Sequence, residues 1–312
     1  MPELPDLTIC LEALDRRLAG ARCVGVRLAS PFLLRSVRPT PEAAAGRAVV
    51  GVRRLGKRLV LALDGDLFLV LHLMIAGRLH WKEMPPRLAG RAQLAAFDFS
   101  TGSLLLTEAG SRRRAALWLV EGEAMLAGLD PGGIEPLVAD LPAFAAALGR
   151  ERHTLKRALT DPHLVAGIGN AYSDEILHRA GLSPLQQTVN LSPGEVERLY
   201  GAVRAVLGEW TSRLRAEAGE RFPEKVTAFR PEMAVHGRFG HPCPACGAPV
   251  QRLVYAENEA NYCAVCQTGG RLLADRALSR LMRGDWPRTL EELEERKRAG
   301  RADPSAGGGA TS

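Results

Sequence analysis

The chain has 312 residues, with 41 Lys and Arg against 35 Asp and Glu, a net charge of +6 and an isoelectric point near 9.2. That length predicts about two domains with cores of their own, and the basic balance admits a polyanionic partner without requiring one. No apolar run is long enough to span a bilayer and no secretory segment is read at the start of the chain, so a reducing cytoplasm is the expected setting, with two disulfides the alternative for the paired cysteines; a monomer is expected.

In chain order, residues 4–18 carry the stripe Leu7, Cys10, Leu11, Leu14 and Leu18 at helical spacing, and Gly20 closes the predicted helix. Cys10 belongs to that stripe and packs as a small hydrophobe. From Arg22 the pattern shortens into β runs at 22–28, 48–55, 58–63, 67–73, 94–99, 103–107 and 115–120, with turns at Asp64-Gly65-Asp66 and Thr101-Gly102. These predict an all-β sandwich or barrel with one helix in front of it. Residues 129–142, with Asp130-Pro131-Gly132-Gly133 inside, read as a linker. Residues 143–218 read as short packed helices, broken at Asp161-Pro162, at Gly167-Ile168-Gly169-Asn170 and at Ser183-Pro184. Beyond residue 270 two charged helices are predicted, Leu272 to Met282 and Leu290 to Arg298, and then a Gly/Ala/Ser tail whose composition predicts disorder. The expected division is 1–128, a linker at 129–142, 143–235, 236–270 and an extension at 271–312.

Cys243-Pro-Ala-Cys246 and Cys263-Ala-Val-Cys266 are two Cys-x-x-Cys turns, each able to aim two thiolates at one point. Facing each other they close a tetrahedral zinc site with no open position, so this ion holds shape and does no chemistry. Cations cluster at Arg53-Arg54-x-x-Lys57-Arg58, Arg112-Arg113-Arg114, Arg152-His153-x-x-Lys156-Arg157 and Arg213-x-Arg215, as a surface tracking phosphates requires. The chain opens Met1-Pro2-Glu3. Removal of Met1 would leave Pro2 as a terminal secondary amine. Such a group titrates near 7.7–8.0 and attacks carbon electrophiles at neutral pH, with Glu3 beside it to move protons. In Gly167-Ile168-Gly169-Asn170 the glycines permit close backbone approach, Asn170 is expected to cap the following helix, and the N–H groups at its start suit a phosphate. Glu175 is expected to tie that helix's own first turns together.

Taken together, Pro2-Glu3-Leu4-Pro5, Gly56-Lys57, His72-Leu73-Met74-x-x-Gly77-Arg78-Leu79, the run from Gly167 to Leu177, and Gly237-Arg238-Phe239-Gly240 through Cys266-Gln267 resemble the formamidopyrimidine-DNA glycosylase / endonuclease VIII family over residues 1–270. The resemblance implies an α+β fold: an N-terminal β-sandwich with a leading helix, a helix-two-turn-helix domain and a C-terminal zinc β-hairpin. It implies double-stranded DNA with damaged bases or abasic sites as partner, base excision through Pro2, and strand cleavage by elimination. Pro2, Glu3 and Lys57 would be catalytic. Met74, Arg112, Arg114, Lys156, Asn170 and Asn258 would contact DNA, and Cys243, Cys246, Cys263 and Cys266 would hold zinc. Three positions depart from the family pattern: Asp6 stands where many relatives carry glutamate, Arg114 replaces an aromatic wedge, and Asn258 replaces an arginine phosphate clamp. The alternatives are a protein that binds damaged or abasic DNA with little excision, and a zinc-hairpin regulator outside repair.

Overall fold

The computed structural model describes residues 1–110, 112–224, 229–255, 258–274 and 287–302. Helix α1 spans Leu4–Leu18, and its stripe Leu7, Cys10, Leu14 and Leu18 is buried. Eight strands follow: β1 Cys23–Leu28, β2 Val49–Leu55, β3 Arg58–Leu63, β4 Leu67–His72, β5 Gly77–Lys82, β6 Gln93–Phe99, β7 Gly102–Glu108 and β8 Ala116–Glu121. They form two antiparallel four-stranded sheets, ordered β1-β6-β7-β5 and β2-β3-β4-β8. Leu59, Leu61, Leu69 and Leu71 from one sheet meet Phe97, Leu104 and Leu106 from the other, with α1 in the same core. The outer face of β3 and β4 is buried too, as Val60, Phe68 and Val70 pack with Val120 and Leu126. Burial on both faces explains why Leu67–His72 reads as a continuous apolar run.

Strand β5 was absent from the expected list. Its residues Arg78, His80 and Lys82 alternate with Leu79 and Trp81, but it is an edge strand on β7 with only Gly77 and Leu79 buried. Its charges suit an exposed edge and weaken the apolar signal that marks the other strands.

The helical part comprises α2 Glu123–Ala127, α3 Leu141–Gly149, α4 Leu155–Thr160, α5 Asn170–Ala180 and α6 Pro193–Ala218. Asp140 caps α3, Thr154 caps α4, and Ser192 with Glu195 forms a capping box on α6. Phe144, Leu155, Ile168, Tyr172, Ile176, Val203 and Trp210 make this second core, which Leu4 enters from the start of the chain. Strands β9 Val250–Tyr255 and β10 Asn258–Cys263 form a hairpin that leads into α7 Ala264–Thr268. The expected helix from Leu272 does not begin there. Leu272 instead donates its N–H to the Arg288 carbonyl at 2.8 Å and Arg271 pairs with Thr289. The remainder of that predicted helix and the Gly/Ala/Ser tail lie outside the described residues. Helix α8, Leu290–Ala302, sets Leu290 and Leu293 against Leu253, Tyr262 and Leu272 on one side of the hairpin. Among the described residues no helix is long and apolar enough to cross a membrane.

Candidate active site

Although they begin the chain, Pro2 and Glu3 are buried. The Leu4 N–H donates to the Gly167 carbonyl at 2.9 Å. The Glu3 carboxylate accepts from the N–H groups of Gly169 at 2.6 Å, Ala171 at 2.9 Å and Tyr172 at 3.2 Å, across 166 or more residues of sequence. Glu3 therefore caps α5, and Asn170, the expected cap, is instead that helix's first residue. Unpaired N–H groups and the positive end of the helix dipole together hold the anion.

Two glycines make the approach possible. Gly167 has φ +80°, and a Cβ there would lie 2.9 Å from Leu4 Cβ. A Cβ on Gly169 would lie 2.5 Å from Glu3 Cδ. Both positions demand glycine for space, and Gly167 also for its backbone conformation.

Several ionisable groups share this pocket of low dielectric. Burial holds the Met1 ammonium below its ordinary value of 8.0, with Glu3 acting in opposition. Burial likewise lowers Lys57, against the pull of Glu3 and with repulsion from Lys156 adding to it. Asp6 is pushed up to about 6 by burial, even though it accepts the Glu3 N–H at 3.0 Å. An amine deprived of hydration, a fixed carboxylate and a half-buried lysine are the components of imine chemistry with proton transfer.

The groups expected to meet DNA fall into three situations. Between β4 and β5, Met74 is half-buried in a left-handed conformation with φ 52°, while Ile75 is 61% exposed at the tip of the turn. Ile75 is the projecting side chain, which the sequence motif did not single out. Arg112 and Arg114 are exposed, on a loop whose backbone is held by the buried Glu108, which accepts from the N–H groups of Arg114 at 2.9 Å and Ala115 at 3.0 Å. Asn258 opens β10 opposite Tyr255, and its side chain lies outside the described residues, as does Ser111.

Lys156 points inward, not toward an open phosphate site. Its ammonium donates to Asp174 Oδ1 and to the Asn170 carbonyl, both at 2.6 Å. Other clustered cations are also engaged within the protein: Arg53 pairs with Glu123 at 2.6 Å, Arg215 with Glu12 at 2.7 Å, and Arg58 lies over Trp118. Proximity in sequence therefore overstates the free positive surface.

The same helix seats the C-terminal hairpin. Asp174 accepts from His236 Nδ1 at 2.7 Å and from Asn261 Nδ2 at 3.3 Å. Glu175 accepts from the N–H groups of Ala234, Val235 and His236 at 2.7, 2.9 and 2.9 Å, so it ties α5 to a distant segment and not to its own turn. Beyond that segment the four thiols of Cys243, Cys246, Cys263 and Cys266 lie within 4.8 Å of one another. Sulfurs around a tetrahedral zinc at about 2.3 Å would be separated by roughly 3.8 Å. The Cys243–Cys266 and Cys246–Cys263 separations of 3.9 and 3.4 Å fit such an ion. His178 Nε2, 3.2 Å from Cys243 Sγ, would support that sulfur as a ligand from outside such a tetrahedron.

Residues 1–117 match the formamidopyrimidine-DNA glycosylase N-terminal domain, and residues 133–214 match the formamidopyrimidine-DNA glycosylase H2TH domain. The formamidopyrimidine-DNA glycosylase of Variovorax paradoxus is 35% identical over 283 residues, spanning 86% of this chain and 100% of that protein. The chain belongs to the formamidopyrimidine-DNA glycosylase family. The enzyme of the same name from Moorella thermoacetica is 35% identical over 81% of this chain and 94% of its own length. The crystal structure of the MutM (Fpg) protein from Thermus thermophilus superposes with a TM-score of 0.72 at 33% identity, covering 85% of this chain and 98% of that one. A MutM structure in complex with DNA containing carbocyclic 8-oxo-G shares the fold with a TM-score of 0.76 at 24% identity, over 86% and 100% of the two chains.

Proposed function

We propose that this glycosylase-family protein is a bifunctional base-excision repair enzyme acting on double-stranded DNA, a glycosylase that removes damaged bases and a lyase that cuts the resulting abasic site. The observation that carries the reading is the seating of Glu3, next to Pro2 in the chain, against the start of α5, where only glycine leaves room for Leu4 and Glu3. With Met1 removed, the Pro2 nitrogen attacks C1′ of the damaged nucleotide, the bond to the base breaks, and the base leaves with its bonding electrons and a proton. The C1′–O4′ bond then breaks, O4′ taking the bonding pair and the proton released by the amine, and the nitrogen lone pair forms the iminium that joins Pro2 to the opened sugar. The C2′ proton is then acidic, and its removal expels the 3′ phosphate; a second elimination expels the 5′ phosphate.

In this reaction Glu3 moves protons to and from the sugar, and its three N–H partners keep it aimed. Lys57 neutralises the phosphate at the reacting nucleotide. Ile75, together with Met74, fills the stack left by the extruded nucleotide, Arg112 and Arg114 face the unpaired partner base, and Asn170 contacts the backbone. Zinc on the four cysteines holds the hairpin in shape. Because Arg114 and Asn258 replace an aromatic wedge and a phosphate clamp, cleavage of abasic sites outpaces excision of 8-oxoguanine.

The test is borohydride trapping on abasic DNA followed by mass spectrometry of the adduct. The expected result is a covalent adduct at Pro2. Adduct at a lysine, or full activity in a Pro2 variant, would sink the mechanism and favour a protein that binds damaged DNA.

A further inference from the structure

Strand β8 is the last of its sheet, and the edge that does not face β4 is covered by residues 34–36. Leu34 pairs with Leu117 in parallel, the Arg35 N–H donates to the Leu117 carbonyl at 2.8 Å, and Ser36 Oγ accepts the Leu119 N–H at 2.9 Å. Just before them, a single 3₁₀ turn at Pro31–Leu33 is pinned from both sides. Ala29 and Ser30 donate their N–H groups to the Leu94 carbonyl at 2.9 and 3.3 Å, and Leu33 is buried in the sandwich core. Pro31 fixes a torsion of the turn as well. Between these anchors Phe32 is 82% exposed. A large apolar ring held outward by anchored backbone forgoes the stabilisation of burial, which a bound surface would restore.

The pairing locates this ring. Residues 34–36 run parallel to β8, so tracing both backward leads to the same end of the sandwich, to Phe32 on one path and to Arg114 on the other. On the opposite side of β8 lies β4, with His72 across from Ala116, and β4 runs on into the turn of Met74 and Ile75. The order along this rim is therefore Ile75, Arg114, Phe32, and two strand spacings, about 10 Å, separate the outer two. Arg113 reaches from the same loop to the Arg91 carbonyl, and Glu108 donates its N–H to the Ala92 carbonyl. The stretches that meet here, 29–39, 86–93 and 109–115, contain arginines and no Asp or Glu. An exposed ring among cations, with no carboxylate in those stretches, suits a polyanion that offers flat faces for stacking.

Resting on the glycosylase reading, we infer that Phe32 is a wedge that inserts at a base step beside the vacated position, while Ile75 and Met74 occupy the vacancy itself. Base pairs rise by about 3.4 Å, so a ring about 10 Å from Ile75 meets a neighbouring step and not the same gap. Apolar side chains inserted between steps partly unstack and kink a duplex, and a phenyl face stacks on any base, so this contact grips opened DNA without reading its sequence. Undamaged duplex stays stacked and gives the ring no entry.

The experiment uses the native full-length protein, Phe32→Ala, Phe32→Trp and Val37→Ala, the last removing a side chain that is 87% exposed beyond the pairing with β8. Truncating an exposed side chain leaves no cavity, so all four proteins should fold alike. Affinity is measured for a tetrahydrofuran abasic duplex and for its undamaged counterpart, with 2-aminopurine placed opposite the lesion and at successive positions on either side of it. Native protein should raise emission at a flanking position as well as opposite the lesion. Phe32→Ala should lose the flanking signal, keep the one opposite the lesion, and bind the abasic duplex about tenfold more weakly with less than about a twofold change on undamaged DNA. Phe32→Trp should retain the tight binding, and Val37→Ala should match the native protein. An unchanged flanking signal and affinity in Phe32→Ala, an equal loss on both duplexes, or an equal effect of Val37→Ala would overturn the inference. So would a native dimer that Phe32→Ala dissolves, which would assign the ring to a second copy of the chain. Native protein that neither prefers the abasic duplex over undamaged DNA nor forms a borohydride adduct would instead overturn the glycosylase reading beneath it.

Discussion

At the start of α5, Gly167 and Gly169 leave room for Leu4 and Glu3 and for nothing larger, and every oxygen of the Glu3 carboxylate is engaged by backbone N–H groups. At the loop carrying Arg112 and Arg114 only the backbone is fixed, through Glu108, and the side chains are exposed. The first region ties sequence to geometry so tightly that a change in one residue displaces another 166 residues away. The second tolerates replacement at little cost to the fold, because an exposed side chain leaves no cavity and no unpaired buried group. Of the three positions at which the sequence departs from the resemblance, Arg114 lies on that exposed loop, whereas Asp6 lies in the buried junction.

The largest expected effect tests whether the hairpin is a separate unit of stability. Cys263→Ser, or removal of metal by a chelator, should reduce DNA affinity more than a hundredfold while the sandwich keeps its cooperative unfolding, since structural zinc supplies of order 10 kcal/mol to small zinc modules. Gel-shift titration alongside circular dichroism would show it. Metal-free protein that binds at full strength would mean that α8 and Tyr262 suffice to hold the hairpin.

Next comes the junction itself. Glu3→Gln keeps the packing and removes the charge, so borohydride trapping should slow by about 10²–10⁴, the usual contribution of a positioned acid or base. Gly169→Ala should slow trapping as well and also lower stability by roughly 2–3 kcal/mol, because the new methyl displaces a buried carboxylate from its donors. If Gly169→Ala unfolds and reacts like the native protein, the close approach of Glu3 to α5 has no functional weight.

A third prediction concerns pH and Asp6, whose carboxyl burial pushes up to about 6 from 3.8. A folded value above the unfolded one means that Asp6 contributes most stability below pH 4, and that this contribution is lost as pH rises through 6. Asp6→Asn, which keeps an acceptor for the Glu3 N–H, should therefore raise stability at pH 7.5 by about 1–3 kcal/mol relative to its effect at pH 4. Chemical denaturation at the two pH values makes the comparison, and an equal effect at both would show that Asp6 is hydrated.

The smallest effect belongs to positions 114 and 258. Arg114→Phe combined with Asn258→Arg should raise single-turnover excision of 8-oxoguanine relative to abasic cleavage by about tenfold, which corresponds to roughly 1.4 kcal/mol. Equal rates on both substrates in the native protein, unchanged in the double variant, would show that other residues carry these roles.

Local patterns were enough to read most elements. The stripe from Leu7 to Leu18 marked α1, the helix breaks at Asp161-Pro162 and Ser183-Pro184 fell where α4 ends and before α6 begins, and the two Cys-x-x-Cys turns announced the hairpin. Strand β5 escaped because its charged alternate residues face away from the sandwich at a sheet edge.

Residue types and their spacing were sufficient to read the β-sandwich with its leading helix, the four cysteines that come together and the proline beside a carboxylate, since periodicity, turn chemistry and ligand spacing act over a few residues, while the full α+β division came from the resemblance. Tertiary structure alone decided that Glu3 caps α5, that Lys156 is engaged by Asp174, that Glu175 seats the segment at His236, that Ile75 projects where Met74 is half-buried, and that Phe32 and Arg114 stand at the same end of the sandwich. Those relations join residues far apart in the chain, and they exist because two cores, one closed by α1 and one entered by Leu4, pack the beginning of the molecule against its middle.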